Sequence, residues 1–182
     1  SMGIKNPDLA HVTSQFASFE DRVVTLLVTT ADARDDAVDE VVQDLLALIR
    51  DHLGMDVVFV SEFVDGLRVM RYGCASNVPA PIRNAMTQRS EPMPLEQTLC
   101  QRLIDGRLPS VVNNLPAVRA MQELPDQGFP IGSYLGVPVL HEDGSLYGAL
   151  CCLTLKPNEA FGELQLKRLQ MAARLMTRLL NS

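Results

Sequence analysis

Apolar positions in residues 14–30 fall at Phe16, Phe19, Val23, Leu26 and Leu27. The three- and four-residue spacing predicts one helical stripe. Asp32-Ala33-Arg34-Asp35-Asp36 interrupts it, and a second stripe runs through Val38, Val41, Val42, Leu45, Leu46, Ile49 and Leu53. Asp35 or Asp36 is placed to cap that second helix, and Gly54 to end it. Arg50 and His52 stand in its last turn, where the helix dipole favours positive charge. The period then changes. Asp56 to Phe63 is β-branched and aromatic, Asp65-Gly66 is a hairpin signal, and Leu67 to Tyr72 alternates beyond it.

Residues 75–94 carry Pro79, Pro81, Pro92 and Pro94 and read as a loop with at most a short helix near 81–88. Leu95 to Asp105 reads as one helix, with Leu95, Leu99 and Leu103 on a stripe and Gly106 as its stop. Pro109 to Val112 is a short strand, Asn113-Asn114 a turn, and Leu115 to Gln122 a further short helix. Ser133 to Leu140 is a strand in which Pro138, lacking a ladder donor, requires an edge or a bulge. Glu142 to Ser145 turns the chain into Leu146 to Thr154, the most apolar strand and therefore the expected centre of the sheet. Leu166, Leu169, Ala172, Ala173, Met176, Leu179 and Leu180 outline a long C-terminal helix.

This order predicts an α+β fold: an antiparallel sheet with the N- and C-terminal helices on one face and a loop-and-helix region on the other. With no repeat or low-complexity stretch, residues 14–182 are expected to form one domain. Residues 1–13 read as a tag scar and an unstructured start. The size of 182 residues suits a core that needs no disulfide or metal staple. The chain has 47% apolar residues but no Trp, so Leu, Val, Ile, Met and Ala must build that core. A net charge of -6 without any Lys/Arg cluster disfavours nucleic acid and anionic membrane surfaces as partners. No run of letters is long and apolar enough for a membrane span. The four cysteines, without a recognisable secretion signal, read as reduced thiols of a cytoplasmic protein.

The stretch Ile131-Gly132-Ser133-Tyr134-Leu135-Gly136-Val137-Pro138-Val139, followed by Asp143-Gly144 and Leu146-Tyr147-Gly148-Ala149-Leu150-Cys151, resembles the GAF domain. In that family a strand of the form S-x-L-G-V-P-V leads through a turn into G-x-L. Thr98 to Pro109 is similar to the GAF subgroup found ahead of cyclic-di-GMP enzymes of the GGDEF or EAL type. The resemblance implies a GAF/PAS-like sensory domain whose ligand sits between the sheet and the loops of residues 72–134. It implies no chemistry of the chain's own and no catalytic residue. The cyclic-nucleotide motif N-K-x-F-D-E, the haem His before the L-G-V-P-V strand and the Cys-His pair of bilin binders are all absent. The cysteine spacing does not look like that of the free methionine sulfoxide reductases. The cofactor is left unknown and no metal is assigned.

Within that frame the candidate ligand-binding residues are Arg71, Tyr72, Cys100, Asn113, Asn114, Ile131, Tyr134 and Cys151. Arg71 and Tyr72, read at a strand end, offer charge and a hydroxyl. Asn113 and Asn114 offer polar contacts or simply form a turn. Tyr134 caps the pocket or fills the core. Cys100 and Cys151 suit a facing redox couple, and equally suit two small buried hydrophobes. The leading reading is a small-molecule sensor that signals through its flanking helices. A redox enzyme or redox sensor using Cys100 and Cys151 is the rival, and a purely structural dimerisation module is the third reading. A homodimer through helices 14–30 and 162–180 is expected, because each helix can pack one stripe on the sheet and offer another to a partner.

Overall fold

The computed structural model describes residues 19–28, 35–87 and 89–180. The expected start over 1–13, and Phe16 in the first stripe, lie outside the described residues. Helix α1 covers residues 19–28. There follow α2 (Asp35–Leu53), β1 (Val57–Val64), β2 (Leu67–Ala75), α3 (Ala80–Ala85), β3 (Met93–Pro94), α4 (Leu99–Ile104), β4 (Val111–Val112), α5 (Leu115–Arg119), β5 (Ser133–Leu140), β6 (Leu146–Thr154) and α6 (Glu163–Leu180). The six strands form one antiparallel sheet in the order β3-β2-β1-β6-β5-β4. The α+β class expected from the sequence is the class observed, with β6 near the centre as its composition demands.

Local chemistry explains most boundaries. Gly54, at φ +68°, ends α2, and Asp65 and Gly66, both at positive φ, turn β1 into β2. Pro138 pairs with Ala149 on β6, and its nitrogen, two residues beyond that of Gly136, points like the Gly136 amide away from β6. There β4 reaches only Tyr134 and Leu135, and the Gly136 amide bonds the Ser110 carbonyl beyond it. Pro138 thus meets an open edge, where no donor is missed.

Three readings need correction. The helix expected over Leu95 to Asp105 is broken: Leu95–Gln97 is a single 3-10 turn, Thr98 is extended, and α4 begins at Leu99. Thr98 interrupts it because its hydroxyl accepts from the Gln101 amide at 3.2 Å, capping a new helix. The loop before it contains β3, which pairs with Leu67 and Arg68 at the sheet edge. Pro92 and Pro94 hid that strand. The strand end assigned to Arg71 and Tyr72 is also not an end, since β2 runs on to Ala75.

The sheet separates two apolar layers. On one face α1, α2 and α6 cover Val58, Val60, Leu135, Val137, Leu150 and Cys152. On the other, α3, α4, α5 and the connecting loops cover Val57, Phe59, Met70, Tyr134, Ala149 and Cys151. Cys151 and Cys152 therefore belong to opposite layers, as the period of a strand requires. In α1, Phe19 and Val23 are buried in the domain's own core, while Val24 and Val28 are exposed. The stripe expected to meet a partner is thus partly committed to the sheet side. The Phe19 ring is held edge-on by His52 at 5.5 Å, and the Arg168 guanidinium stands 5.4 Å from its centroid.

Candidate functional site

The loop-side layer holds the polar chemistry. Helix α4 descends onto β5 and β6 because Gly136 has no side chain. A Cβ there would lie 2.6 Å from Leu103 Cδ1 and 3.2 Å from Cys151 Sγ. That approach brings Cys100 of α4 over the sheet. Its sulfur lies 3.2 Å from the Tyr134 hydroxyl of β5 and 3.8 Å from the Cys151 sulfur of β6. Phe59 of β1 meets the Tyr134 ring edge-on at 6.3 Å. Cys100, Cys151 and Tyr134 are buried, and Ile131 is buried beside them.

Two residues that sequence reasoning missed complete the cluster. Ser61 of β1 is fully buried on the same face, and Arg68 of β2 is 5% exposed. The alternation of Leu67-Arg68-Val69-Met70 did not say which set faces inward. Register decides it: Ser61 pairs with Met70 and Phe63 with Arg68, and Met70 and Phe63 pack in the loop-side layer. Cys100 is drawn below the usual thiol range by the hydrogen bond from Cys151, helped by the positive charge of Arg68 and the Tyr134 hydroxyl, against the opposing effect of burial. Burial pushes Cys151 and Tyr134 up. Cys100 is therefore the member of the thiol pair that more readily carries negative charge.

The remaining candidates are placed elsewhere. A bulge at Val60/Ser61 leaves Arg71 as the extra residue of β2 and turns it to the side of Tyr72. Tyr72 packs against the helix-side core and donates to Asp39 of α2 at 2.6 Å. Arg71 donates to Glu62 at 2.8 Å. Neither enters the loop-side cluster, so the strand-end wall drawn from the sequence loses both. Asn113 donates to the carbonyls of Asn158 and Phe161, each at 2.8 Å, tying the loop before α6 to β4. Asn114 caps α5 by accepting from the Ala117 amide at 3.2 Å. The pair of asparagines serves the chain's own backbone.

The roof over the cluster is pinned at its rim. Arg107 bridges Glu96 at 3.0 Å and Asp105 at 2.6 Å, which links the 3-10 turn to the end of α4. Among the described residues no group of three or more His, Cys, Asp or Glu is placed to hold a metal ion. No described helix is long and apolar enough to cross a membrane.

The family model of the GAF domain matches residues 37–180. Solved structures similar in fold include the GAF domain of an Acinetobacter phosphoenolpyruvate-protein phosphotransferase, at 13% identity and TM-score 0.66 over 97% of this chain and 93% of that one. A free methionine-R-sulfoxide reductase from Neisseria meningitidis, solved with its substrate, is similar at 16% identity and TM-score 0.63, over 88% and 87%. A putative GAF sensor protein from Burkholderia vietnamiensis is similar at 14% identity and TM-score 0.62, over 91% and 87%. No curated protein matches the sequence. The structural neighbours thus include a protein described as a GAF sensor and a reductase.

Proposed function

The chain belongs to the GAF domain family, and from that premise we propose that it is a cytoplasmic regulatory domain that senses a small molecule. The observation that carries this reading is the buried cluster of Cys100, Cys151, Tyr134, Ser61 and Arg68 between the sheet and a roof of short helices. A purely structural layer would be filled with apolar side chains, as the helix side largely is. Short elements over a rigid sheet are also the part of a domain that opens at least cost. Because β1, β5 and β6 contribute side chains to both layers, a ligand that alters the roof shifts the balance of arrangements of α2 and α6 on the far side. Signalling then passes through the flanking helices to a partner or output domain, in the manner of bacterial regulators that precede cyclic-di-GMP enzymes. A second copy pairing through α1 and α6, with Val24 and Val28 at the contact, fits the same route.

Native mass spectrometry of the purified protein, with a thermal-shift screen of metabolites, tests both ideas. A dimer mass and either a co-purified ligand or a stabilising compound are expected. A ligand at a hundred times its Kd stabilises by about 2.7 kcal/mol, a rise of roughly 5–10 °C for a domain of this size. A monomer with no ligand mass and no responding compound would sink the reading.

The thiol geometry favours a second reading, a redox sensor. Hydrogen peroxide, with one proton from solvent, would take the Cys100 thiolate to the sulfenic acid and release one water. Attack by Cys151 sulfur would then give the disulfide and a second water. Both sulfurs are already in contact at 3.8 Å, against about 2.0 Å in the bond. The first reading predicts that only the half-buried Cys74 reacts with a thiol reagent in the native state, while Cys100, Cys151 and Cys152 react on denaturation. A rapid second native thiol, lost in Cys100→Ser, would favour the redox reading.

A further inference from the structure

Arg68 is placed where an arginine is costly. It is 5% exposed, and its Nε has no hydrogen-bond partner among the described residues. Its Nη2 rests on the Met93 sulfur at 3.2 Å. A thioether is a weak acceptor and carries no charge. None of the ion pairs among the described residues includes Arg68. A guanidinium held out of water without a counter-charge is destabilising by several kcal/mol in order of magnitude. Something outside the chain is the natural partner.

The geometry says which kind. Nε and Nη2 lie on one edge of the guanidinium and present two parallel N–H groups, the fork that fits two oxygens of a carboxylate or phosphate. On Arg68 this edge is empty but for sulfur. A second unpartnered group stands on the same face. Ser61 Oγ is fully buried with no partner at hydrogen-bond distance, near enough to the Cys100 sulfur to favour its thiolate, on the neighbouring strand two register positions from Arg68. Phe63, paired with Arg68 across the strands, supplies an apolar flank. The cover is slight. Met93 belongs to a two-residue edge strand paired only with Leu67 and Arg68, and its unbranched side chain can swing away.

We propose that Arg68 anchors an oxyanion subsite in the loop-side layer. A small ligand bearing a carboxylate or phosphate displaces Met93, takes the Nε/Nη2 edge of Arg68 and accepts from Ser61. This inference rests on the ligand-sensing reading and names the chemical class that the sensor takes. The ligand's charge would also neutralise the guanidinium that favours the Cys100 thiolate, so binding and thiol chemistry are coupled through one residue.

The test follows the unfolding midpoint of the whole chain with sodium phosphate and, separately, sodium acetate, at ionic strength held constant with chloride. A saturable rise is expected for the wild type. Phosphate alone acting identifies a phosphate group on the ligand, and acetate alone a carboxylate. Arg68→Met should need at least about ten-fold more anion for the same rise, the loss of one charged hydrogen-bonded contact. Met93→Ala should need less anion than the wild type. A wild-type midpoint indifferent to both anions, or an Arg68→Met response equal to the wild type, overturns the proposal. Should Arg68→Met fail to fold, the Arg68 Nε–H resonance of the wild type decides. Movement on phosphate or acetate titration supports the subsite, and a fixed resonance overturns it. Metabolite hits that are all neutral or cationic would remove the oxyanion subsite and leave the sensing reading standing. The absence of any hit would remove the sensing reading itself.

Discussion

Gly148→Ala should cost the fold about 3 kcal/mol or more, at or beyond the top of the usual overpacking range. A Cβ on Gly148 would sit 1.9 Å from the Ser61 carbonyl oxygen and 2.9 Å from Glu62 Cα. Both obstacles are backbone, so no rotamer change relieves them. The β1–β6 pair at the middle of the sheet must part instead. Gly148 also marks where β6 departs from strict alternation: Leu150 and Tyr147, three residues apart, both pack on the helix side. For a chain of this length the melting temperature should fall by roughly 6–12 °C. Calorimetry of the variant checks it, and a midpoint within about 2 °C of wild type would show that β1 yields far more easily than a paired central strand should. Gly136→Ala makes the informative comparison. Its nearest obstacle is the end of the Leu103 side chain, which can rotate, so its effect should be the smaller of the two.

Phe59→Ala should cost about 3–5 kcal/mol, the range for truncating a buried aromatic. Phe59 is 1% exposed and pairs in register with Cys151, and its ring meets Tyr134 edge-on. Removing the ring takes one wall from the thiol cluster and leaves a void beside two sulfurs. Two readouts are therefore expected together: a lower denaturant midpoint, and native reactivity of Cys151 or Cys100 toward a thiol reagent. Phe59→Leu should recover most of the stability and the thiol protection, because it refills most of the volume. Loss of stability without thiol exposure would mean that the roof collapses onto the void and that the cluster is more pliant than its contacts imply.

The sequence was most legible where one physical signal dominated. The helical stripe of α2, the strand β5 from Ser133 to Leu140 and the strand β6 from Leu146 to Thr154 are read directly from periodicity and turn residues. Those signals are local, since apolar spacing and a left-handed turn residue act within a few positions. The motif around Gly136 and Gly148 then fixed the family. Cys100, Cys151 and Tyr134, separated by up to 51 residues, were proposed together and do meet.

Other features had no local signal. A bulge opposite Val60/Ser61 sends Arg71 and Tyr72 to the helix side, and nothing in Leu67 to Tyr72 announces it. Asn113 and Asn114 look like ligand contacts or a turn, and only the position of residues 158–161 reveals what Asn113 holds. The alternation around Arg68 leaves its face open, and only the pairing of β2 with β1 turns it inward beside Ser61. The sequence by itself determined the α+β class, the long helices and long strands in their order, the central strand and the family, because hydrophobic period and turn chemistry are carried by neighbouring residues. Which polar groups share the loop-side layer was decided by the tertiary structure alone. Strand register and bulges select the face of every side chain, and they arise from pairings between distant segments.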